Sequence, residues 1–117
     1  MPAHAIGTAF VPVTSPQIAA EWYREVLGLD IATVSEHSAV LFVGSQRLTL
    51  MGPASGISAQ PGLTWATCNF VVDDVDATYA ALEERGLVET AIRGDRDICR
   101  YFSAKDLDGN VLLVVDR

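Results

Sequence analysis

Two dipeptides, Gly28-Leu29 and Gly86-Leu87, stand 58 residues apart, and each closes an amphipathic stretch that follows an apolar one. Val13 and Val71 keep the same offset. In a chain of 117 residues that offset is half the length. A single period so long describes a duplicated module rather than a solenoid of short repeats. Each copy reads strand, helix, Gly-Leu, then three strands. The expected fold is therefore α+β, two tandem βαβββ modules making one domain over residues 1–117. The first module covers about 4–52, a Pro- and Gly-containing linker about 53–63, and the second module about 64–117.

In the first copy, Ala5–Val13 reads as a strand. Pro12 has no N–H to donate, which places that strand at an edge or a bend. Ser15-Pro16 starts a helix, with Ser15 as N-cap and Pro16 at the first helical position. Its inward face is read as Ile18, Trp22 and Val26 with Ala19, Tyr23 and Leu27 beside them, and Gly28 ends it. Asp30–Val34, Ala39–Val43 and Arg47–Met51 follow as strands.

In the second copy, Trp65–Val72 reads as a strand, and Asp73-Asp74 opens a helix with acidic groups at its positive end. Val75, Tyr79 and Leu82 are its inward residues. Val88–Ile92 reads as a short strand and Arg93–Asp97 as a charged turn. The copy closes on a hairpin, Tyr101–Ala104 and Val111–Val115, around Asp106-Leu-Asp-Gly-Asn110. The two carboxylates suit hydrogen bonds to the turn backbone better than acid–base chemistry. The last strand shows no polar alternation, so both of its faces are expected to be buried.

A net charge of −7 and a single lysine, Lys105, leave no basic stripe for phosphates, so nucleic acid is excluded as a partner. No apolar run is long enough to span a bilayer and no leader precedes the first strand, so a cytoplasmic protein is expected. Cys68 and Cys99 lie in apolar strand contexts without metal-type spacing and read as buried free thiols. No Ser-His-Asp or Cys-His set, phosphate loop or nucleotide fingerprint occurs.

Ala20-Glu-Trp-Tyr-Arg-Glu-Val-Leu-Gly-Leu29 carries an aromatic pair followed four residues on by Leu-Gly. Together with the duplicated plan and the Asp-x-Asp-Gly-Asn closing turn, it resembles the vicinal-oxygen-chelate superfamily. That superfamily contains glyoxalase I, extradiol dioxygenases, fosfomycin-resistance enzymes and bleomycin-resistance proteins. The resemblance covers essentially the whole chain and implies a cupped mixed sheet. Metal-using members place one ligand, usually His or Glu, on each of four strands. Carried onto this chain, those positions fall on Thr8, Thr49, Thr67 and Leu113. Neutral hydroxyls bind divalent metals weakly and Leu cannot bind them, so no metal and no other cofactor is expected. His4 and His37 read as structural or surface residues. Val11-Pro12-Val13 and Arg100-Tyr-Phe102 are similar to the metal-free, bleomycin-resistance-like branch, whose members bind ligands as homodimers.

Strand alternation in step with the former ligand positions proposes a concave wall. It comprises Thr8 and Phe10 on the first strand, Arg47 and Thr49 on the fourth, and Trp65, Thr67 and Asn69 on the fifth. Tyr101, Ser103 and Leu113 complete it, with Ile6, Met51, Val111 and Val115 in the same step. Phe10, Met51 and Leu113 also read as plain core, and Arg47 becomes a surface residue if its strand slips by one register. The expected function is metal-independent binding of a small hydrophobic or aromatic molecule, an antibiotic or an aromatic metabolite, by a homodimer. The alternatives are a lyase, isomerase or dioxygenase-like enzyme of the same superfamily, and an accessory dimer without a ligand.

Overall fold

The computed structural model describes residues 2–117 as two compact units, one running to Ala59 and the other from Gln60 to Arg117. Each unit is a four-stranded mixed sheet with one helix, and the two share the βαβββ plan.

The first unit contains β1 (Ala9–Pro12), α1 (Pro16–Leu27), β2 (Asp30–Val34), β3 (Ser38–Val43) and β4 (Gln46–Met51), followed by a 3₁₀ turn at Pro53–Ser55. The sheet order is β1-β4-β3-β2, with β1 parallel to β4 and the other pairs antiparallel. Pro12 therefore sits on an edge strand, where its missing N–H breaks no ladder bond. Ala5–Thr8, expected to be strand, precedes β1 without joining it; small residues and Gly7 supply little side chain to anchor a ladder.

Helix α1 begins where its capping chemistry directs. Ser15 Oγ accepts from the Ile18 N–H at 3.3 Å, and Gly28 ends the helix at φ 73°, its N–H bonded to the Arg24 carbonyl. The buried stripe is Pro16, Ala19, Ala20 and Tyr23. Ile18, expected inward, is 63% exposed and Trp22 only half-buried. Two adjacent alanines let the helix lie close to the sheet, and that turns Ile18 away. Val11, Val13, Leu29, Leu41, Leu48 and Leu50 complete this core.

The second unit contains β5 (Asn69–Val71), α2 (Val75–Glu84), β6 (Arg93–Asp95), β7 (Cys99–Lys105) and β8 (Val111–Val115), in the order β5-β8-β7-β6. Asp74 caps α2 by accepting from the Ala77 N–H at 3.0 Å. Val75 and Leu82 are buried, and the half-buried Tyr79 ring meets Phe102 edge-on at 5.2 Å. Phe70, Ala104, Leu112 and Val114 fill the rest of the core. Arg100 ties α2 to the sheet through a two-pronged pair with Asp76, both contacts 2.9 Å.

Three expectations are corrected in this unit. The strand expected at Trp65–Val72 is ordered as β5 only from Asn69, so Trp65 and Thr67 lie in the segment before it. The short strand expected at Val88–Ile92 is a single bridge, Val88 to Ala104, and the strand falls instead on Arg93–Asp95, expected as a turn. The backbone N–H groups of both Glu89 and Thr90 point at the Ser103 carbonyl, which bends the chain off the ladder before it rejoins. Lastly, β8 is buried on one face only. Leu112 and Val114 lie under α2, whereas Val111 and Leu113 are half-exposed on the other side, although Val115 is buried. An unbroken apolar run in this strand marks one face in the core and one lining a hollow.

Among the described residues no helix is long and apolar enough to cross a membrane.

Candidate functional site

On the face of the second sheet turned away from α2, Asn69, Leu113 and Ser103 stand side by side in register across β5, β8 and β7. They floor a cavity of about 520 Å³. Thr64, Trp65, Ala66 and Cys68 line it from the segment before β5, and Val111 and Glu89 complete it. Trp65 is 81% exposed, an indole offering its faces to whatever enters. Burial raises the Cys68 thiol above its ordinary value, partly offset by a hydrogen bond from Thr67, which favours the neutral thiol on the lining. Glu89 pairs with Lys105 at 3.5 Å, both side chains more than a third exposed.

The segment that lines the cavity is anchored from the closing turn. Asp106 and Asn110 are each 1% exposed. Asp106 Oδ1 accepts from the backbone N–H groups of Asp108 at 2.8 Å and Asn110 at 3.0 Å, and Oδ2 from the Asn110 side-chain amide at 3.0 Å. Asn110 Oδ1 in turn accepts from Gly62 and Leu63, both at 2.9 Å. The Val111 N–H adds a bond to the Leu63 carbonyl at 2.9 Å. The Asp106 carboxylate thus serves the closing turn, as the turn chemistry suggests.

In the first unit, Thr8 and Thr49 meet: their hydroxyl oxygens are 2.8 Å apart, and Thr8 Oγ1 also lies 3.2 Å from the Arg47 carbonyl. Phe10 is in register with Thr49 on the sheet face away from α1 and is 55% exposed. Arg47 is exposed at the start of β4, with no ion pair among the described residues. The metal positions carried over by the resemblance do not fit a metal. Thr8 and Thr49 satisfy one another, Leu113 presents only hydrocarbon, and no three His, Cys, Asp or Glu side chains gather among the described residues. His4 and His37 are both exposed.

Of the ten residues expected at a site, the structure brings Trp65, Asn69, Ser103 and Leu113 to one cavity. Thr67 is not among its lining residues, and Tyr101 stands in the next register row, opposite Val115. Thr8, Phe10, Arg47 and Thr49 belong to the first unit. Alternation missed Thr64, Ala66, Cys68 and Glu89 because none of them lies in a strand, and both parities of an irregular segment can face one hollow. The signal available was the Gly62-Leu63 linker itself, which shows where the irregular segment begins.

The chain resembles many solved structures over nearly all its length. A lactoylglutathione lyase from Agrobacterium tumefaciens is 20% identical with a TM-score of 0.75, covering 98% of this chain and 95% of the other. A glyoxalase/bleomycin resistance protein/dioxygenase superfamily member from Sphaerobacter thermophilus is 19% identical with a TM-score of 0.76, covering 97% of each. A bleomycin resistance determinant encoded on the transposon Tn5 is 21% identical with a TM-score of 0.69, covering 97% and 98%. At such identities the likeness is one of fold. Comparison with curated protein sequences finds no match. The sequence profile of one family matches residues 5–114, nearly the whole chain, and with the duplicated βαβββ units it settles the assignment: the chain belongs to the Glyoxalase/Bleomycin resistance protein/Dioxygenase superfamily.

Proposed function

We propose that the chain is a metal-independent small-molecule binding protein of this superfamily, with the cavity of the second unit as its recognition site. The observation that carries the reading is the lining of that cavity. Its volume of about 520 Å³ suits a small organic ligand, and Ala66, Val111 and Leu113 give it apolar surface beside the Trp65 indole. Asn69 and Ser103 are sparse polar groups of the kind that orient a ligand, and Glu89 supplies the one formal charge on the lining. The ligand is therefore a planar or hydrophobic body bearing a hydrogen-bond donor; an amine would compete with Lys105 for Glu89, a loose and exposed pair at 3.5 Å. The exposed Arg47 lies in the first unit, and Glu89 is the one charged residue on this lining. Metal independence rests on the Thr8–Thr49 hydrogen bond and on Leu113 at the carried-over ligand positions.

The reading extends to a cytoplasmic homodimer that sequesters an antibiotic or aromatic metabolite, supported by the fold shared with a bleomycin resistance determinant and by exposed Phe10 and Phe42 on the first sheet. Catalysis is the second reading. Glu89 is the one carboxylate on the cavity lining, and a lyase or isomerase would need it as a proton acceptor.

Calorimetric titration with a matched pair, naphthylmethylamine and naphthoate, tests the reading. The amine is expected to bind, more tightly than the acid, and Leu113→Arg is expected to abolish binding by filling the floor. No binding of either probe, or equal binding by the Leu113→Arg protein, overturns the cavity as the site. Turnover in a substrate screen would favour the second reading.

A further inference from the structure

The Thr64–Cys68 segment lines the cavity without belonging to any strand, so something outside the ladder must fix its position. Among the described residues, the one fully buried polar side chain that reaches its start is Asn110. A carboxamide serving only its own turn would spend its bonds within residues 106–110. Instead the carbonyl oxygen of Asn110 accepts two N–H groups, from Gly62 and Leu63, which are 48 and 47 residues away in sequence. Its amide nitrogen donates to Asp106, whose other oxygen is held by two turn N–H groups. This orientation has no alternative. Rotating the amide would aim its NH₂ at two N–H donors and its carbonyl at a carboxylate. The rotor is locked, and the two linker residues are locked to it immediately before Thr64.

We propose that Asn110 is the positioning residue of the cavity: its carboxamide, acting through Gly62 and Leu63, holds the Thr64–Cys68 wall and the Trp65 indole where a ligand is received. This rests on the reading of that cavity as a ligand site. Asn110 itself lines none of it.

The chain has two tryptophans, so Trp22→Phe leaves Trp65 as the sole indole reporter, and this substitution serves as the background. Asn110→Ala is expected to lower the fluorescence anisotropy of Trp65. It should also speed amide exchange across residues 62–68 by about tenfold relative to β7 and β8, the factor set by loss of one net hydrogen bond. Should that variant fail to fold, Asn110→Asp keeps the acceptor for Gly62 and Leu63 but sets two carboxyl groups about 3 Å apart. Their mutual repulsion strains the anchor, so Trp65 anisotropy should fall in this variant as well. Unchanged Trp65 anisotropy in both variants, or exchange accelerated uniformly over the whole second unit, would overturn the proposal. Naphthylmethylamine titration is read separately. If it binds the parent, Asn110→Ala should weaken it by about tenfold. If it does not bind, the ligand reading fails while anisotropy still decides the anchor.

Discussion

Asp106 is the polar residue whose loss should cost most in the second unit. Its buried carboxylate accepts three hydrogen bonds inside the closing turn. Asp106→Ala leaves two backbone N–H groups and the Asn110 amide without that acceptor, so a loss of about 3 kcal/mol or more is expected in urea unfolding. The threonine pair of the first unit should behave differently. Thr49→Val removes one hydroxyl but leaves Thr8 the Arg47 carbonyl at 3.2 Å, so the expected loss is under about 1 kcal/mol. At this scale the sequence is readable where the chemistry is local. Ser15, Gly28, Asp74 and the Asp106–Asn110 turn act through neighbours a few residues away, and their roles follow from the residue types. Asn110 reaching back to Gly62 is not readable in this way, because nothing in the spacing of residues 62 and 110 marks them as partners.

At the scale of elements, α2 is fastened to its sheet by a charge pair that acid should loosen. The hydrogen bond from Arg100 holds the Asp76 carboxyl below its ordinary 3.8, and the Arg100 backbone N–H does the same for Asp116. Each group binds its proton more weakly folded than unfolded. The stability they contribute is therefore fully present above the unfolded value, and it is lost as pH falls through the lowered one. Arg100→Leu should flatten the acid limb of the stability curve below pH 4 by the share belonging to Asp76, while the share of Asp116 remains, since its partner is backbone. Thermal unfolding of both proteins over that range checks the difference. The β6–β7 hairpin has its own sensitive point at Gly94. Its φ of 91° excludes ordinary side chains, and a Cβ there would run into the Cys99 carbonyl oxygen. Gly94→Ala should detach β6 at a cost of about 1–3 kcal/mol, seen as exchange of the β7 amides that face it. Strands β2, β3, β4, β7 and β8 were legible because runs of strand-forming residues bounded by turn residues coincide with the ladder. The strand expected at Val88–Ile92 was not. Its apolar run is interrupted by a bend that depends on a carbonyl of β7, and its true successor, Arg93–Asp95, is an edge strand rich in charge.

For the whole molecule, the 58-residue repeat made the duplicated architecture legible, since two copies of one pattern leave few other folds. The cavity was half legible. Its floor follows strand alternation at Asn69, Ser103 and Leu113, while most of its wall is irregular backbone that alternation cannot address. The proposed homodimer predicts twice the chain mass by light scattering at micromolar concentration, and a single-chain mass would contradict it. The two sheets also set a timetable. In each, the strand that opens the module pairs with the strand that closes it: Ala9 with Leu48 in one, Asn69 with Leu113 in the other. Neither sheet can be completed on the ribosome until its last strand has emerged, near residue 51 for the first and 115 for the second. At about 5–20 residues per second, some 3–13 seconds of translation separate the two events. Mixed α/β units of this size fold in milliseconds to seconds, so the first sheet stands assembled while the second is still being made. Phe10, Val34 and Phe42 are exposed on it even when the chain is whole, and those side chains are where a nascent chain would be captured by a chaperone or by another copy of itself.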